Sequence, residues 1–141
     1  MKPKSYGLCP YQIMNGQFYV LLNKTSEISY YNFFKGKIEE NETIEECAQR
    51  EFFEETGVEV NIKDFEEYYE QNSKRKNIGI FLVDWAKYHH KIFKFQDEEI
   101  WSAVWVPLEY IEMSKNQQKI INDINLVFTD RKNIIKNLYS F

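Results

Sequence analysis

Three glutamates fall where a helix should be apolar. Thr43 followed by Glu46 fits a capping box, and Gly57 suits a left-handed stop. Between them Ile44, Cys47, Ala48 and Phe52 recur at helical spacing. Taking about 100° per residue from Ile44, Glu51 falls at about 340° and Glu55 at about 20°, inside the apolar stripe, with Glu54 at its flank. Glu45, Glu46 and Gln49 take the far side, where a solvated face belongs. Carboxylates at i, i+3 and i+4 on an inward face repel one another and lose hydration unless something positive neutralises them. Hard oxygen ligands converging from one helix suit Mg²⁺ or Mn²⁺. A salt-bridged structural cluster is the alternative, built on Arg50, the only cation between residues 39 and 59.

That 21-residue stretch holds nine of the 22 acids in a chain of 141 residues with a net charge of −4. Length and composition suit a single domain, residues 1–141. An aromatic content of 17% excludes a fully disordered chain. The longest apolar run, residues 78–83, contains Gly79 and stops at Asp84, far short of the roughly 20 residues of a membrane span. Residues 1–5 are charged but lead into no apolar stretch, so no secretory signal is expected. Cys9 and Cys47 lie outside any metal or disulfide spacing, and reduced thiols in a cytoplasmic protein are expected. The acid excess argues mildly against a nucleic-acid-coating protein.

Two β-favouring runs, residues 6–14 and 17–22, flank Asn15-Gly16, a strong hairpin signal. An aromatic-rich loop over residues 23–42 leads to the helix. Short strands are expected over residues 58–62 and 65–69, then a central strand over 77–85 after a basic turn at Lys74-Arg75-Lys76. Residues 87–97 read as loop or edge strand and 103–106 as a strand. Pro107 suits the start of a short helix through Ile111. Two amphipathic helices follow, one from Asn116 and one around residues 134–138. Strands interleaved with helices imply an α/β or α+β sandwich with a mixed sheet.

Spacing then sharpens the reading. Gly36, Glu42, Arg50-Glu51-Phe52, Glu54-Glu55 and Gly57-Val58 fill the pattern G-x5-E-x7-R-E-U-x-E-E-x-G-U, where U is a bulky apolar residue. Across residues 36–58 this resembles the Nudix box of the Nudix (MutT-like) hydrolases. The resemblance implies an α/β/α sandwich around a mixed β-sheet, and hydrolysis of a pyrophosphate linkage by metal-assisted water attack. Carried over residue by residue, it makes Glu51, Glu54, Glu55 and the Gly36 carbonyl the ligands of Mg²⁺, with Mn²⁺ as the substitute. Arg50 is implied to orient these carboxylates, and Glu42 to steady the loop–helix junction. The physics agrees, because only bound cations let three glutamates approach a polyanion.

Relatives place the general base either on a box glutamate, here Glu51 or Glu54, or on a distal loop, which points to Glu99 and then Glu98. The Asp97-Glu98-Glu99 run also reads as an exposed acidic turn. Residues 31–37, Tyr-Asn-Phe-Phe-Lys-Gly-Lys, resemble a run of dinucleoside polyphosphate hydrolases, RNA pyrophosphohydrolases and decapping enzymes, with Tyr31 in place of Trp and Phe34 in place of Pro. On that basis Lys35 and Lys37 meet the outer phosphates and Tyr31 stacks on a base, while Phe33 and Phe34 pack the loop. The basic turn reads as solvated or phosphate-contacting, His89-His90 as surface, and Cys47 as core. The expected substrate is a small-molecule phosphoanhydride, dinucleoside polyphosphates such as diadenosine tetraphosphate first. An RNA 5′-triphosphate end, less favoured by the net charge, and nucleoside triphosphates come next. A non-catalytic nucleotide sensor is the reading from another class. Many relatives dimerise, so a homodimer is compatible with the resemblance.

Overall fold

β1 (Lys4–Met14) is buried on both sides, and everything else is arranged around it. The computed structural model describes residues 2–95, 102–109 and 111–139, with side chains described through Lys132. β1 turns through Asn15-Gly16 into β2 (Gln17–Lys24), antiparallel with Tyr11 opposite Val20. Both turn residues have positive φ, 52° and 76°, the type I′ geometry whose twist matches a hairpin. β3 (Phe34–Lys37) pairs antiparallel with the first half of β1. The helix α1 (Ile44–Thr56) follows, then a single 3₁₀ turn at Ile62–Asp64 and the antiparallel pair β4 (Phe65–Asn72) and β5 (Asn77–Asp84). β5 runs parallel to β1, a second 3₁₀ turn covers Trp85–Lys87, and β6 (Ser102–Pro107) pairs with β2 before α2 (Gln118–Tyr139) ends the chain. The sheet is mixed, in the order β4-β5-β1-β2-β6 with β3 also on β1.

Alternating side chains divide the core in two. Cys9, Val20, Leu22, Ile78, Ile80 and Leu82 face Ile120, Ile121, Ile124 and Phe128 of α2. Leu8, Leu21, Phe81 and Val83 face Ala48 and Phe52 of α1, with Trp85 and Tyr88 beside them. The result is the expected α/β/α sandwich around a mixed sheet. Phe52 is fully buried, edge-on to Phe34 at 5.7 Å and to Trp85 at 5.9 Å. Burial of such a ring is worth about 1.5–3 kcal/mol and pins α1 to the sheet.

Several local expectations are corrected. Residues 58–62 form no strand: Val58 and Val60 are buried under α1, and the Val60 carbonyl is taken by Gln49 Nε2 at 2.9 Å rather than by a neighbouring strand. β3 lies inside the stretch read as loop, because its ladder comes from distant β1 rather than from alternation of its own residues. β5 is next to the centre, which β1 occupies. Pro107 closes β6 opposite Tyr19, and Leu108 N donates to Phe18 O at 3.1 Å, so no helix starts there. Of the stretch read as loop or edge strand, residues 88–95 are loop; Phe93 and Phe95 stack at 5.2 Å, Phe93 on Trp85 and Phe95 on Phe34. The two expected C-terminal helices are one, since neither Gly nor Pro interrupts residues 118–139. No helix among the described residues is long and apolar enough to cross a membrane.

Candidate active site

The site begins at the entry to α1. Thr43 Oγ1 accepts the Glu46 N–H at 3.1 Å and the Glu46 carboxylate accepts the Thr43 N–H at 2.9 Å, a complete capping box. One turn earlier, Glu42 accepts the Glu39 N–H at 2.9 Å. The helix ends at Gly57, with φ 75° and its N–H on Phe53 O. These caps aim the middle turns of α1 at the end of β3.

Arg50 is the hub. Its Nε and Nη2 donate to the two oxygens of Glu42 at 2.5 and 3.0 Å, a two-pronged pair. Nη2 also donates to the Lys37 carbonyl at 3.1 Å, tying helix to strand. Nη1 donates to Glu51 at 2.9 Å and to Glu54 at 3.2 Å, and lies 3.6 Å from Glu39. The guanidinium beside Glu42 holds that carboxyl below its ordinary range. Burial pushes the Glu51 carboxyl up, against the pull of Arg50. A half-buried carboxylate whose charge burial disfavours gains from any cation brought to it.

Gly36 supplies the other wall. A Cβ there would lie 1.9 Å from the Glu51 carboxyl carbon and within 2.3 Å of both its oxygens. Only a hydrogen fits, so strand backbone and carboxylate are pressed together. The Cys47 thiol donates to the Gly36 carbonyl at 3.4 Å. Glu55 follows one turn after Glu51, with Oε2 buried, and Glu54 is half exposed. Among the described residues, no three or more His, Cys, Asp or Glu side chains are gathered into a group that could hold a metal ion as they stand. An oxygen-only donor set, one carboxylate held against a glycine backbone and an open outer side suit a hard divalent cation that keeps water ligands.

The other expected site residues divide. Lys35 and Lys37 leave β3 on the face opposite Phe34, which packs with α1. The Lys35 ammonium is pushed down to about 8 by burial and by repulsion from Lys76, while attraction to Glu55 opposes the shift. Tyr31 stands apart: it bridges to Met113, packs against the α2-side core, and carries Lys24 Nζ at 4.7 Å over its ring. Glu99, with Asp97 and Glu98, lies outside the described residues. Three residues gained roles that no local pattern signals. Lys24 covers Tyr31, Cys47 reaches Gly36, and buried Gln117 accepts from Phe33 N at 2.9 Å while donating to Asn32 at 3.0 Å. Gln117 thereby anchors the approach to β3 from 84 residues away.

The family model of the NUDIX domain matches residues 7–124, a span that holds the hairpin, the box and the start of α2. The chain belongs to the NUDIX domain family. Its structural neighbours include the Ap4A hydrolase of C. elegans, solved as a binary complex, with a TM-score of 0.67, 17% identity, and coverage of 91% of this chain and 98% of that one. The NUDIX domain of Shewanella oneidensis NrtR, complexed with ADP ribose, superposes with a TM-score of 0.65 at 16% identity over 91% and 89% of the two chains. The E. coli ORF135 protein does so with a TM-score of 0.60 at 18% identity over 93% and 94%. At such identities the likeness carries the fold. No curated protein matches the sequence. Hydrolases of the NUDIX family act on pyrophosphate bonds and generally use divalent metal ions.

Proposed function

We propose that this NUDIX chain is a Mg²⁺-dependent pyrophosphohydrolase of nucleoside polyphosphates, with dinucleoside polyphosphates such as diadenosine tetraphosphate as the leading substrate class. The observation that carries the reading is the Glu51 carboxylate pressed onto the Gly36 backbone and paired with Arg50. A purely structural ion pair has no need of a second and third glutamate on the same side of the helix. Glu51, Glu54, Glu55 and the Gly36 carbonyl would hold the metal, Mn²⁺ serving in place of Mg²⁺. When bound, such a cation polarises phosphoryl oxygens and acidifies water.

The protein's own groups supply the rest. Arg50 spreads its donors over Glu42, Glu51 and Glu54, so the carboxylates are oriented before substrate arrives. Lys35 and Lys37 are proposed to meet the outer phosphates, which must then extend past β3 to the face away from Phe34 and α1. Glu99 is proposed as the base that takes the proton of the attacking water, with Glu98 or a box glutamate as substitutes. The lean toward dinucleoside polyphosphates rests on the likeness of the Phe33-Phe34-Lys35-Gly36-Lys37 run to theirs. The net charge of −4 counts against a dedicated RNA enzyme, and the intact box against a sensor without activity. A cytoplasmic location and a homodimer belong to the same proposal.

The test is a turnover panel with Mg²⁺ and with Mn²⁺. It covers diadenosine tetraphosphate, nucleoside triphosphates, ADP-ribose and 5′-triphosphate RNA, each against the Glu54→Gln/Glu55→Gln variant. Diadenosine tetraphosphate should be cleaved fastest, and the variant should be folded and inactive. A folded wild-type protein that turns over none of these refutes the reading, and near-wild-type hydrolysis by the variant refutes the metal assignment.

A further inference from the structure

Residues 93–95 touch both halves of the candidate metal site. The donors there come from two elements, the Gly36 carbonyl from β3 and the glutamates from α1, so their spacing depends on how β3 and α1 are held together. β3 is four residues long and, among the described strands, pairs with β1 alone. That ladder fixes it to the sheet but not to the helix. At the Lys37 end Arg50 makes the link, through its 3.1 Å bond to the Lys37 carbonyl. At the Phe34 end the link is aromatic.

There the Phe34 ring meets Phe52 of α1 edge-on at 5.7 Å and stacks with Phe95 at 6.2 Å, the planes 17° apart. Phe95 continues to Phe93 at 5.2 Å and Phe93 to Trp85 at 5.1 Å, a run of near-parallel rings that rests on the α1-side core. The same segment is fastened to the last turn of α1. The Thr56 carbonyl, which the ending helix leaves without an internal partner, accepts the Lys94 N–H at 2.8 Å. Lys94 also lies against Gly57, where an added Cβ would come within 3.2 Å of the Lys94 Cβ. Lys94 is thus bonded to the residue after Glu55, and Phe95 is stacked on the residue two before Gly36.

Burial is not what Phe95 contributes. It is 43% exposed and stands outside both core clusters, whereas Phe93 packs against one of them. Its contact joins β3 to the end of α1 without adding to either core. Phe34 stands where the run it resembles has Pro, so the flat ring that receives Phe95 belongs to this chain's own sequence.

We propose that Phe95 is a positioning residue of the metal site, which holds the Gly36 carbonyl and the carboxylates of Glu51 and Glu55 at the separation a divalent cation requires. The proposal rests on the hydrolase reading above and deepens it. Phe95 touches neither metal nor substrate and acts through Phe34 and the Lys94–Thr56 bond. Outer partners that orient metal ligands are worth about 10- to 100-fold in affinity.

The test is Mn²⁺ binding to the metal-free protein, followed by electron paramagnetic resonance. Phe95→Ala and Phe95→Leu should each weaken binding about tenfold or more, and Phe95→Tyr should restore most of it. Circular dichroism should show all three folded. Phe53→Ala is the control, because it removes a ring of the same size, 51% exposed, from the same helix; its Mn²⁺ affinity should equal wild type. In turnover of diadenosine tetraphosphate, Phe95→Ala should need about tenfold more Mg²⁺ for half-maximal rate while KM at saturating metal is kept. Equal Mn²⁺ affinity in wild type and Phe95→Ala overturns the positioning role and leaves the hydrolase reading standing. A loss in Phe53→Ala as large as in Phe95→Ala also overturns it, since α1 would then be loosened as a whole. A folded wild-type protein that binds no Mn²⁺ overturns the metal assignment itself, and this proposal with it.

Discussion

Arg50 grips Glu42 with two parallel hydrogen bonds, from Nε and Nη2 to the two carboxylate oxygens, so the residue that neutralises the α1 glutamates is itself anchored on the loop before the helix. The free edge of the guanidinium is thereby turned toward Glu51 and Glu54. Removing Glu42 releases the anchor while every metal-ligating candidate stays in place. Glu42→Gln should lower stability by about 1–3 kcal/mol and weaken activation by Mg²⁺. The sign of the pH effect follows from the lowered carboxyl of Glu42. Its contribution is present above the ordinary carboxylate value of 4.5 and is lost as pH falls through the lower folded value. Thermal melts of both proteins across that range should converge in acid; a constant gap would deny the ion pair its role.

Gly36→Ala is a sterically defined change. The new methyl lands on the Glu51 carboxylate, so either the side chain or the β3 backbone must shift. A displacement of about 1 Å at a reacting centre costs on the order of 10² in rate. The expected outcome is a folded protein, judged by circular dichroism, with kcat reduced by about that factor and a higher Mg²⁺ requirement. Wild-type kcat would mean that Glu51 does not need its present position.

Glu99→Gln probes the proposed base. A loss in kcat on the order of 10² with a shifted acid limb of the pH–rate profile is expected. If the profile is unchanged, the role returns to a box glutamate. Glu51 is then first, because burial raises its carboxyl and Arg50 holds it in place.

Tyr31→Ala tests base stacking against the geometry found. One face of the ring is held by Lys24, so a base would have to take the other face or displace the lysine. If Tyr31 stacks, KM rises for diadenosine tetraphosphate and stays unchanged for inorganic polyphosphate. Equal shifts for both would leave the Lys24–Tyr31 pair as packing alone.

The hairpin, the capping box, the Gly57 stop and the inward placing of Glu51 were legible because each depends on residues a few positions apart. The division of the core came from the structure, where Ile78, Ile80 and Leu82 face one way and Phe81 and Val83 the other. β3 was not legible. Phe34-Lys35-Gly36-Lys37 has no strand pattern of its own and becomes one only by hydrogen bonding to β1. The same holds in reverse for residues 58–62, whose apolar residues found a place under α1 instead of a neighbouring strand.

By itself, then, the amino-acid order determined the helix, its caps and the side on which its carboxylates lie, because backbone sterics and 3.6-residue periodicity act within a few turns. Only the tertiary structure decided what those carboxylates meet. The Arg50 grip on Glu42, the Gly36 backbone against Glu51, and the Phe95 ring stacked on Phe34 all depend on contacts between separate elements. Such contacts are set by how the two faces of the sheet are filled, and no short window of sequence contains that information.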